Sequence, residues 1–208
     1  LLKLIYKMKK QRICIIGGGL TGLVTAAVLA NLNVDIDLIS NSDILNRKSN
    51  RTTAVSQNNY FFLKKKKLVE LLKKSFWACS GMKLYAKDKN SDLNKIFDIN
   101  KEKKNILYMM NNHSFVKNIY KKIKKNKCVN YRIEKNLFKI VTSESLKALK
   151  FKKNYSKRYN LIIICTGGNS DLLKKIVHDK FFEYPYKEIS ITTVLEHKKL
   201  KKFHKKRK

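Results

Sequence analysis

Six residues near the start of the chain have the types and spacing that bind a phosphate-bearing ligand. Residues 17–22 read Gly-Gly-Gly-Leu-Thr-Gly and match the pattern G-x-G-x-x-G. In such a motif Gly17 permits a tight turn, Gly19 lets the backbone approach a pyrophosphate, and Gly22 allows a helix to pack closely on a sheet. Free N–H groups at the start of that helix attract phosphates. The pattern predicts a dinucleotide-binding site, and the alternative is a glycine turn without a ligand.

The segments around this motif predict how it is positioned. Residues 12–16 form a continuous apolar run, which indicates a strand buried on both faces of a parallel sheet. Leu20–Leu32 is rich in Ala, Leu and Val and predicts a buried helix, and Val34–Ile39 predicts a second strand. A strand, a glycine turn, a helix and a strand in this order form a βαβ unit. This context makes the glycine motif a much stronger indication of a dinucleotide site.

The residue that ends the second predicted strand departs from the usual pattern. An Asp or Glu at this position normally binds a ribose hydroxyl, but this chain has Ser40. A neutral hydrogen bond contributes about 0.5–1.5 kcal/mol, against about 1.5–3 kcal/mol for a bond to a charged group. We therefore expect Ser40 near the ribose with a lowered affinity, or Asp43 in its place. The glycine motif by itself does not separate FAD from NAD.

Later segments predict a mixed α/β architecture. Ser42–Ser56 is polar and predicts a loop, and Tyr60–Lys74 predicts a basic helix. Asn112–Lys125 predicts a helix, because Phe115, Ile119 and Ile123 recur at four-residue spacing. Further predicted elements are short strands within Val129–Val141, a fully apolar strand over Leu161–Cys165, and a half-buried strand of an antiparallel layer over Glu188–Leu195.

The composition restricts the classes of function. The net charge of +33 comes almost entirely from Lys spread along the chain, and Lys accompanies abundant Asn and Ile, which share A- and T-rich codons with it. We interpret the charge as a solvated surface and expect no nucleic-acid partner, while an anionic membrane surface is the alternative. The sequence has neither a long apolar run nor the core of a signal peptide, so we expect a cytoplasmic protein, or one peripheral on the inner face of the membrane.

Cysteine and histidine spacing carries no metal or disulfide signature. The four cysteines include no C-x-x-C pair, and the four histidines include no H-x-x-x-H pair. We therefore predict neither a metal site nor a disulfide framework. Cys14 and Cys165 lie inside apolar runs, where a small buried thiol is the ordinary interpretation.

Three further segments carry a family resemblance. Residues 51–56, Arg-Thr-Thr-Ala-Val-Ser, resemble the Arg-Thr-Thr-Ala-Leu-Ser segment of the UbiH-type aromatic hydroxylases of ubiquinone biosynthesis, which are FAD-dependent monooxygenases. Residues 108–112, Tyr-Met-Met-Asn-Asn, are similar to the family's Tyr-x-Val-Glu-Asn. Residues 160–170 resemble its second flavin motif, Asp-Leu-Val-Val-Gly-Ala-Asp-Gly-x-Asn-Ser. With the glycine motif, four segments follow the family's order over residues 12–196.

The resemblance implies a fold and an activity. The fold is α/β, with a Rossmann-like FAD-binding domain that carries the βαβ unit, followed by the start of an antiparallel substrate-domain sheet. The resemblance implies an FAD-binding domain (10–180) and the first strand of the substrate domain (181–196). The residues themselves predict an N-terminal extension (1–9) and, from eight Lys or Arg among the last twelve positions, a basic, disordered tail (197–208). The implied activity is hydroxylation of a polyprenylated phenol, with NAD(P)H as electron donor.

The resemblance also assigns the residues that would hold FAD, although no side chain is nominated as a catalytic acid or base. The cofactor-binding residues that it implies, together with the glycine motif, are Gly17, Gly19, Gly22, Ser40, Arg51, Asn111, Gly167, Asn169 and Ser170.

Departures from the family pattern leave other functions open. Thr166 replaces the Asp of the second motif, Asn111 replaces a Glu, and a later Gly-Asp motif has no counterpart. We therefore expect a truncated chain that is inactive alone. The alternatives are a non-catalytic dinucleotide-binding module and a basic protein that binds RNA or a membrane surface on a decayed enzyme fold.

Overall fold

The computed structural model describes residues 10–46, 51–69, 76–87, 92–100, 104–135, 137–143, 146–151, 156–167, 170–177 and 184. In chain order the elements are β1 (Gln11–Ile16), α1 (Leu20–Leu29), β2 (Val34–Ser40), β3 (Thr52–Ser56), α2 (Gln57–Lys65), β4 (Phe76–Cys79), β5 (Gly81–Lys87), β6 (Leu93–Asn100), β7 (Leu107–Asn111), α3 (Asn112–Lys124), β8 (Val129–Ile133), β9 (Leu137–Ser143), β10 (Leu146–Phe151), β11 (Ser156–Tyr159), β12 (Leu161–Ile164) and α4 (Asp171–Val177).

A parallel four-stranded sheet forms the centre, with the strand order β12-β1-β2-β8. In β1, which lies between β12 and β2, Ile15 is opposite both Ile163 and Leu38. Both faces of this strand are covered, which explains why its sequence is a continuous apolar run. The predicted βαβ unit and the strand at residues 161–165 are thereby confirmed, since β1, α1, β2 and β12 all form.

The two faces of the central sheet are covered by different layers. On one face α1 and α3 pack against Ile13, Ile15, Ile36 and Leu38. The predicted apolar stripe of α3 is confirmed, because Phe115, Ile119 and Ile123 are all buried in this layer. On the other face the antiparallel sheet β9-β10-β11 packs through Leu149 and Tyr159 against Cys14, Ile16 and Ile39.

A second antiparallel sheet, β3-β7-β4, joins the segment around Arg51 to the start of α3. Thr52 is opposite Asn111 and Val55 is opposite Tyr108. The prediction of a loop over Ser42–Ser56 is therefore wrong for its last five residues. Their β-branched side chains form a strand because a partner, β7, lies next to them in the fold, although it is more than fifty positions away in the chain.

Two predicted helices end earlier than the sequence suggests. In α1 the side chain of Asn31 donates hydrogen bonds to the carbonyls of Ala27 and Val28 and so ends the helix before Leu32. Of the predicted basic helix Tyr60–Lys74, the part up to Lys65 belongs to α2, residues 66–69 are not helical, and residues 70–74 lie outside the described ranges. Lys67 adopts a left-handed conformation, φ 54°, and the Leu68 N–H donates to the Leu63 carbonyl at 2.9 Å. This Schellman arrangement buries Leu68.

Several predictions concern residues outside the described ranges. The strand over Glu188–Leu195, the extension 1–9 and the basic tail 197–208 all lie there. Among the helices of the described ranges, none is long and apolar enough to cross a membrane.

Candidate dinucleotide-binding site

The glycine loop lies at the carboxyl edge of the parallel sheet, between the ends of β2 and β12. The Gly17 N–H donates to the Ile39 carbonyl at 2.8 Å, and the Cys165 N–H donates to the Ile16 carbonyl at 2.7 Å. Gly17 has a φ of +119°, and a Cβ there would collide with the Cys165 carbonyl. Only glycine combines this conformation with so close an approach of two backbone segments.

Gly18 and Gly22 are required by packing. A Cβ on Gly18 would lie 2.6 Å from the Cβ of Ser40, and one on Gly22 would collide with the carbonyl of Gly17. The first turn of α1 therefore packs directly on the loop that precedes it. The role expected for Gly22, close packing of the helix, agrees with this contact.

Gly19 differs from its neighbours because it faces open space. A Cβ at this position would meet no atom within 4 Å. Gly19 is also the N-cap residue of α1, and it has no side chain that could accept a hydrogen bond from the first N–H groups of the helix. Room above the backbone and uncapped N–H groups are the features that a pyrophosphate requires. The residues present therefore fit a dinucleotide cofactor.

Ser40 lies beside the loop, and its hydroxyl is already engaged in a hydrogen bond. The side chain is buried, and its Oγ donates to the Ser42 carbonyl at 2.7 Å. The Tyr131 hydroxyl donates to the same carbonyl at 3.3 Å, and burial raises the pKa of this tyrosine. The alternative residue, Asp43, accepts a hydrogen bond from the Leu45 N–H. Both candidates thus stabilise the loop that follows β2.

Pairing of β3 with β7 brings Arg51 and Asn111 together. The Asn112 N–H donates to the Arg51 carbonyl at 3.1 Å, and Asn111 lies opposite Thr52. The Asn111 side chain accepts a hydrogen bond from the Ser114 N–H at 2.9 Å and so caps α3. This local role explains why a short polar side chain stands where the UbiH-type pattern has Glu.

The segment that resembles the second flavin motif, residues 160–170, contains β12, and the residues after this strand contact the glycine loop. Gly167 is exposed, and a Cβ there would meet no atom within 4 Å, so it also borders open space. The Ser170 Oγ accepts a hydrogen bond from the Leu173 N–H near the start of α4. Asn169, which the sequence also nominates, lies outside the described residues.

One polar atom at this edge of the sheet has no partner in the described part of the chain. The Thr166 Oγ1 is buried and makes no hydrogen bond to a described residue. The backbone N of Thr166 lies 2.9 Å from the Cβ position built on Gly17. Sequence comparison with the family marks Thr166 only as a departure from Asp. Its position identifies it as a polar group next to the candidate phosphate-binding loop.

Some contributors to the site carry no sequence signal. Gly18 occupies a variable position of the motif, yet it packs against Ser40. Cys165 is half-buried beside the loop, and burial raises the pKa of its thiol. Both residues lie within segments that the sequence singles out, but neither occupies a position that the motif specifies, so their contacts emerge only from the structure.

Comparisons with known proteins agree with this fold. Residues 2–65 match the model of a family described as pyridine nucleotide-disulphide oxidoreductase. Comparison with curated protein sequences finds no match. The p-nitrophenol 4-monooxygenase PnpA from Pseudomonas putida DLL-E4 is similar in structure, with a TM-score of 0.64 and 16% identity over 81% of this chain and 44% of that protein.

Two further structures show the same fold. The 2,6-dihydroxypyridine-3-hydroxylase from Arthrobacter nicotinovorans has a TM-score of 0.60 and 16% identity, over 81% of this chain and 40% of that one. The Diels-Alderase PyrE3 of pyrroindomycin biosynthesis has a TM-score of 0.63 and 15% identity, over 80% of this chain and 34% of that one. The chain thus spans less than half the length of each structure. The α/β fold of aromatic hydroxylases is shared, and because a Diels-Alderase shares it as well, activity has to be argued from the site.

Proposed function

We propose that the chain binds FAD at the glycine loop and forms the FAD-binding portion of a flavin-dependent monooxygenase. The observation that supports this proposal is the difference in free space around the four glycines of the loop. Packing excludes a side chain at Gly17, Gly18 and Gly22, whereas Gly19 has open space above it at the uncapped start of α1. The likeness of the fold to two aromatic-ring hydroxylases supports FAD over NAD.

Each element would contribute a defined part of the cofactor site. The N–H groups at the start of α1 and the backbone of Gly19 would hold the pyrophosphate. Ser40 would lie near the ribose, and its hydroxyl would bind the ligand if it gave up its hydrogen bond to the Ser42 carbonyl. Arg51, Asn111, Gly167, Asn169 and Ser170 are proposed to lie along the flavin and its ribityl chain. When bound, FAD would pass electrons from NAD(P)H to O₂ so that one oxygen atom enters an aromatic ring.

The proposed substrate is a polyprenylated phenol of ubiquinone biosynthesis. Its support is the resemblance of residues 51–56, 108–112 and 160–170 to UbiH-type hydroxylases. In the fold, two of these segments are neighbours, because β3 and β7 pair directly. A prenylated substrate is apolar, so a protein peripheral to the membrane would meet it at the bilayer surface. The large positive charge of the chain favours such contact with anionic lipids.

Calorimetric titration of the purified chain with FAD and, separately, with NADH tests the cofactor. We expect saturable FAD binding with one site, and NADH binding at least about tenfold weaker. In the variant Gly19→Val a branched side chain fills the open space, so FAD binding should be lost while the far-ultraviolet circular dichroism stays unchanged. Tight binding of NADH without FAD binding would show that the proposed cofactor is wrong, and unchanged FAD affinity in Gly19→Val would show that the loop is not its site.

A second titration tests the proposed substrate. A phenol with a short prenyl chain and the same phenol without it are added separately to the FAD-loaded protein, and the flavin absorbance is followed. We expect a saturable change with the prenylated phenol at concentrations at which the plain phenol has no effect. Equal responses to both compounds would argue against a polyprenylated substrate without affecting the assignment of FAD.

A further inference from the structure

A polar pocket lies on the face of the central sheet opposite α1 and α3. It is lined by Arg12 of β1, by residues 35–37 of β2 and by Asn130 and Arg132 of β8, and no residue of the glycine loop lines it. The sheet β9-β10-β11 covers Cys14, Ile16 and Ile39 on this face and leaves the pocket open beside β11. Its volume is about 220 Å³, which admits a small molecule.

The floor of the pocket contains a buried carboxylate that is hydrogen-bonded on several sides. Asp37 of β2 accepts hydrogen bonds from Lys157 Nζ at 2.9 Å, from the Tyr159 hydroxyl at 2.7 Å and from Asn130 Nδ2 at 2.7 Å. Lys157 also forms an ion pair with Asp37 and so compensates the charge of the carboxylate. Asp37 is therefore satisfied within the protein and does not act as an acceptor for an entering cation.

The remaining charges of the pocket are mainly positive. Arg12, Lys127 and Arg132 line it, and Asp35 is the one other carboxylate among its described lining residues. Arg12 is opposite Asp35 across the β1–β2 ladder, and Arg132 is on β8 at the far side. Two guanidinium groups and an ammonium group around one concavity are the donors that recognise phosphate oxygens, because they supply charge-assisted and bidentate hydrogen bonds.

We propose that this pocket binds a small phosphate-bearing anion, namely inorganic phosphate or a phosphate monoester. The site is distinct from the proposed FAD site and does not depend on it. Here the cations surround a concavity whose floor is fixed by the Asp37 hydrogen bonds. A concave surface lined by one sign of charge concentrates its field on a small ion.

The test is a titration of the ¹⁵N-labelled 208-residue chain with inorganic phosphate and, in a second arm, with glycerol phosphate, at constant ionic strength. The Gly19→Val background is used so that phosphate binding at the glycine loop does not contribute. We expect saturable shifts of the backbone amides of Arg12, Asn130 and Arg132. A stronger response to glycerol phosphate would identify a monoester as the ligand, and an equal response would identify the free anion.

Two triple variants separate a built site from general positive charge. Arg12→Gln, Lys127→Gln, Arg132→Gln removes the three pocket cations, and Lys117→Gln, Lys121→Gln, Lys124→Gln removes three exposed cations of α3. The first should weaken phosphate binding by at least about tenfold, because charge-assisted hydrogen bonds are lost, and the second should leave it unchanged. Equal weakening in both variants, or shifts that grow linearly without saturation, would overturn the proposal. If the first variant is less stable, the single substitution Lys127→Gln, outside β8, replaces it, and unchanged binding there would count against the proposal.

Discussion

At the scale of single residues, the glycines of the loop are required for different reasons. Gly22 has no room for a Cβ because the carbonyl of Gly17 occupies that space, whereas Gly19 has no neighbour within 4 Å of its Cβ position. Gly22 therefore maintains the fold, and Gly19 is the position at which a ligand can approach the backbone. The same substitution at the two positions should separate these functions.

We predict that Gly22→Ala lowers the free energy of unfolding by about 1–3 kcal/mol, since the added methyl group forces α1 away from the loop. Gly19→Ala should lower it by less than about 1 kcal/mol, because the position is an N-cap facing solvent. Urea unfolding of both variants, followed by circular dichroism, measures the difference. Equal destabilisation would contradict the distinction drawn from the packing.

Asp37 is the second residue whose environment makes a specific prediction. Burial by itself would raise the pKa of this carboxyl group. Hydrogen bonds from Lys157, Tyr159 and Asn130, together with the charge of Lys157, outweigh burial and hold the pKa below its ordinary value of 3.8. The ionised form is thus the stable form in the folded protein.

We predict that Asp37→Asn lowers the free energy of unfolding at pH 7 by about 3–5 kcal/mol, because Lys157 loses its charge partner in a largely buried position. Since the folded pKa is depressed, this stabilisation is present above pH 3.8 and is lost as the pH falls through the lower folded value. The difference between the two proteins should therefore narrow between pH 5 and pH 2 in denaturant titrations.

A matched control for this prediction is Asp98→Asn. Asp98 forms the other ion pair found among the described residues, with Lys95, and both side chains are substantially exposed. Solvent screens an exposed pair, so this variant should show no measurable loss of stability at any pH. The prediction for Asp37 is contradicted if the free energies of unfolding of Asp37→Asn and of the unmodified protein differ by the same amount at every pH down to 2. In that case the carboxylate charge does not stabilise the fold.

At the scale of secondary-structure elements, the β3–β7 pair and α3 form one structural unit. The last residue of β7 is Asn111, which is also the N-cap of α3, and the Thr53 hydroxyl donates to the Asn112 side-chain oxygen at 2.6 Å. A single residue thus ends a strand and begins a helix. The stacked rings of Tyr60 and Tyr108, with centroids 3.7 Å apart, attach α2 to the same sheet.

We predict that Asn111→Ala lowers the free energy of unfolding by about 0.5–2 kcal/mol, which is the usual contribution of an N-cap hydrogen bond. Asn111→Asp should retain the cap and increase stability slightly, because a negative charge interacts favourably with the N-terminus of a helix. Thermal unfolding of both variants measures the effect. A loss of stability in Asn111→Asp as large as in Asn111→Ala would contradict the capping role.

At the scale of the whole molecule, charge repulsion opposes folding. The sequence has 48 Lys and Arg against 15 Asp and Glu, so most cations have no carboxylate to pair with. Among the described residues two ion pairs form, Lys95–Asp98 and Lys157–Asp37. A compact protein with a net charge of +33 is destabilised by its own electrostatic field.

We predict that sodium chloride stabilises the protein. Raising its concentration from about 0.02 M to about 0.5 M shortens the screening length several-fold and weakens the repulsion. The Tm should rise by at least about 2–4 °C, which corresponds to about 1 kcal/mol for a chain of this size. Differential scanning fluorimetry over a series of salt concentrations is sufficient for the test. A Tm that falls with salt would mean that attractive ion pairs outweigh the repulsion.

The sequence by itself determined the elements whose signals are local. The apolar run before the glycine motif predicts β1, and the spacing of Phe115, Ile119 and Ile123 predicts α3, because burial imposes a fixed period on each kind of element. The spacing of Gly17, Gly19 and Gly22 predicts the loop from a different but equally local signal. Its stereochemical requirements are met within six consecutive residues.

Only the tertiary structure decided features that depend on contacts between distant residues. Residues 52–56 become a strand because β7 pairs with them, and α2 ends at Lys65 because Leu68 is buried. The Asp37 cluster unites side chains from β2, β8 and β11, and no local pattern marks any of them. A hydrogen bond or a packing contact can join residues that are far apart in the chain as well as neighbours. A local sequence pattern does not show which distant residues meet, so these features follow only from the arrangement of the elements in space.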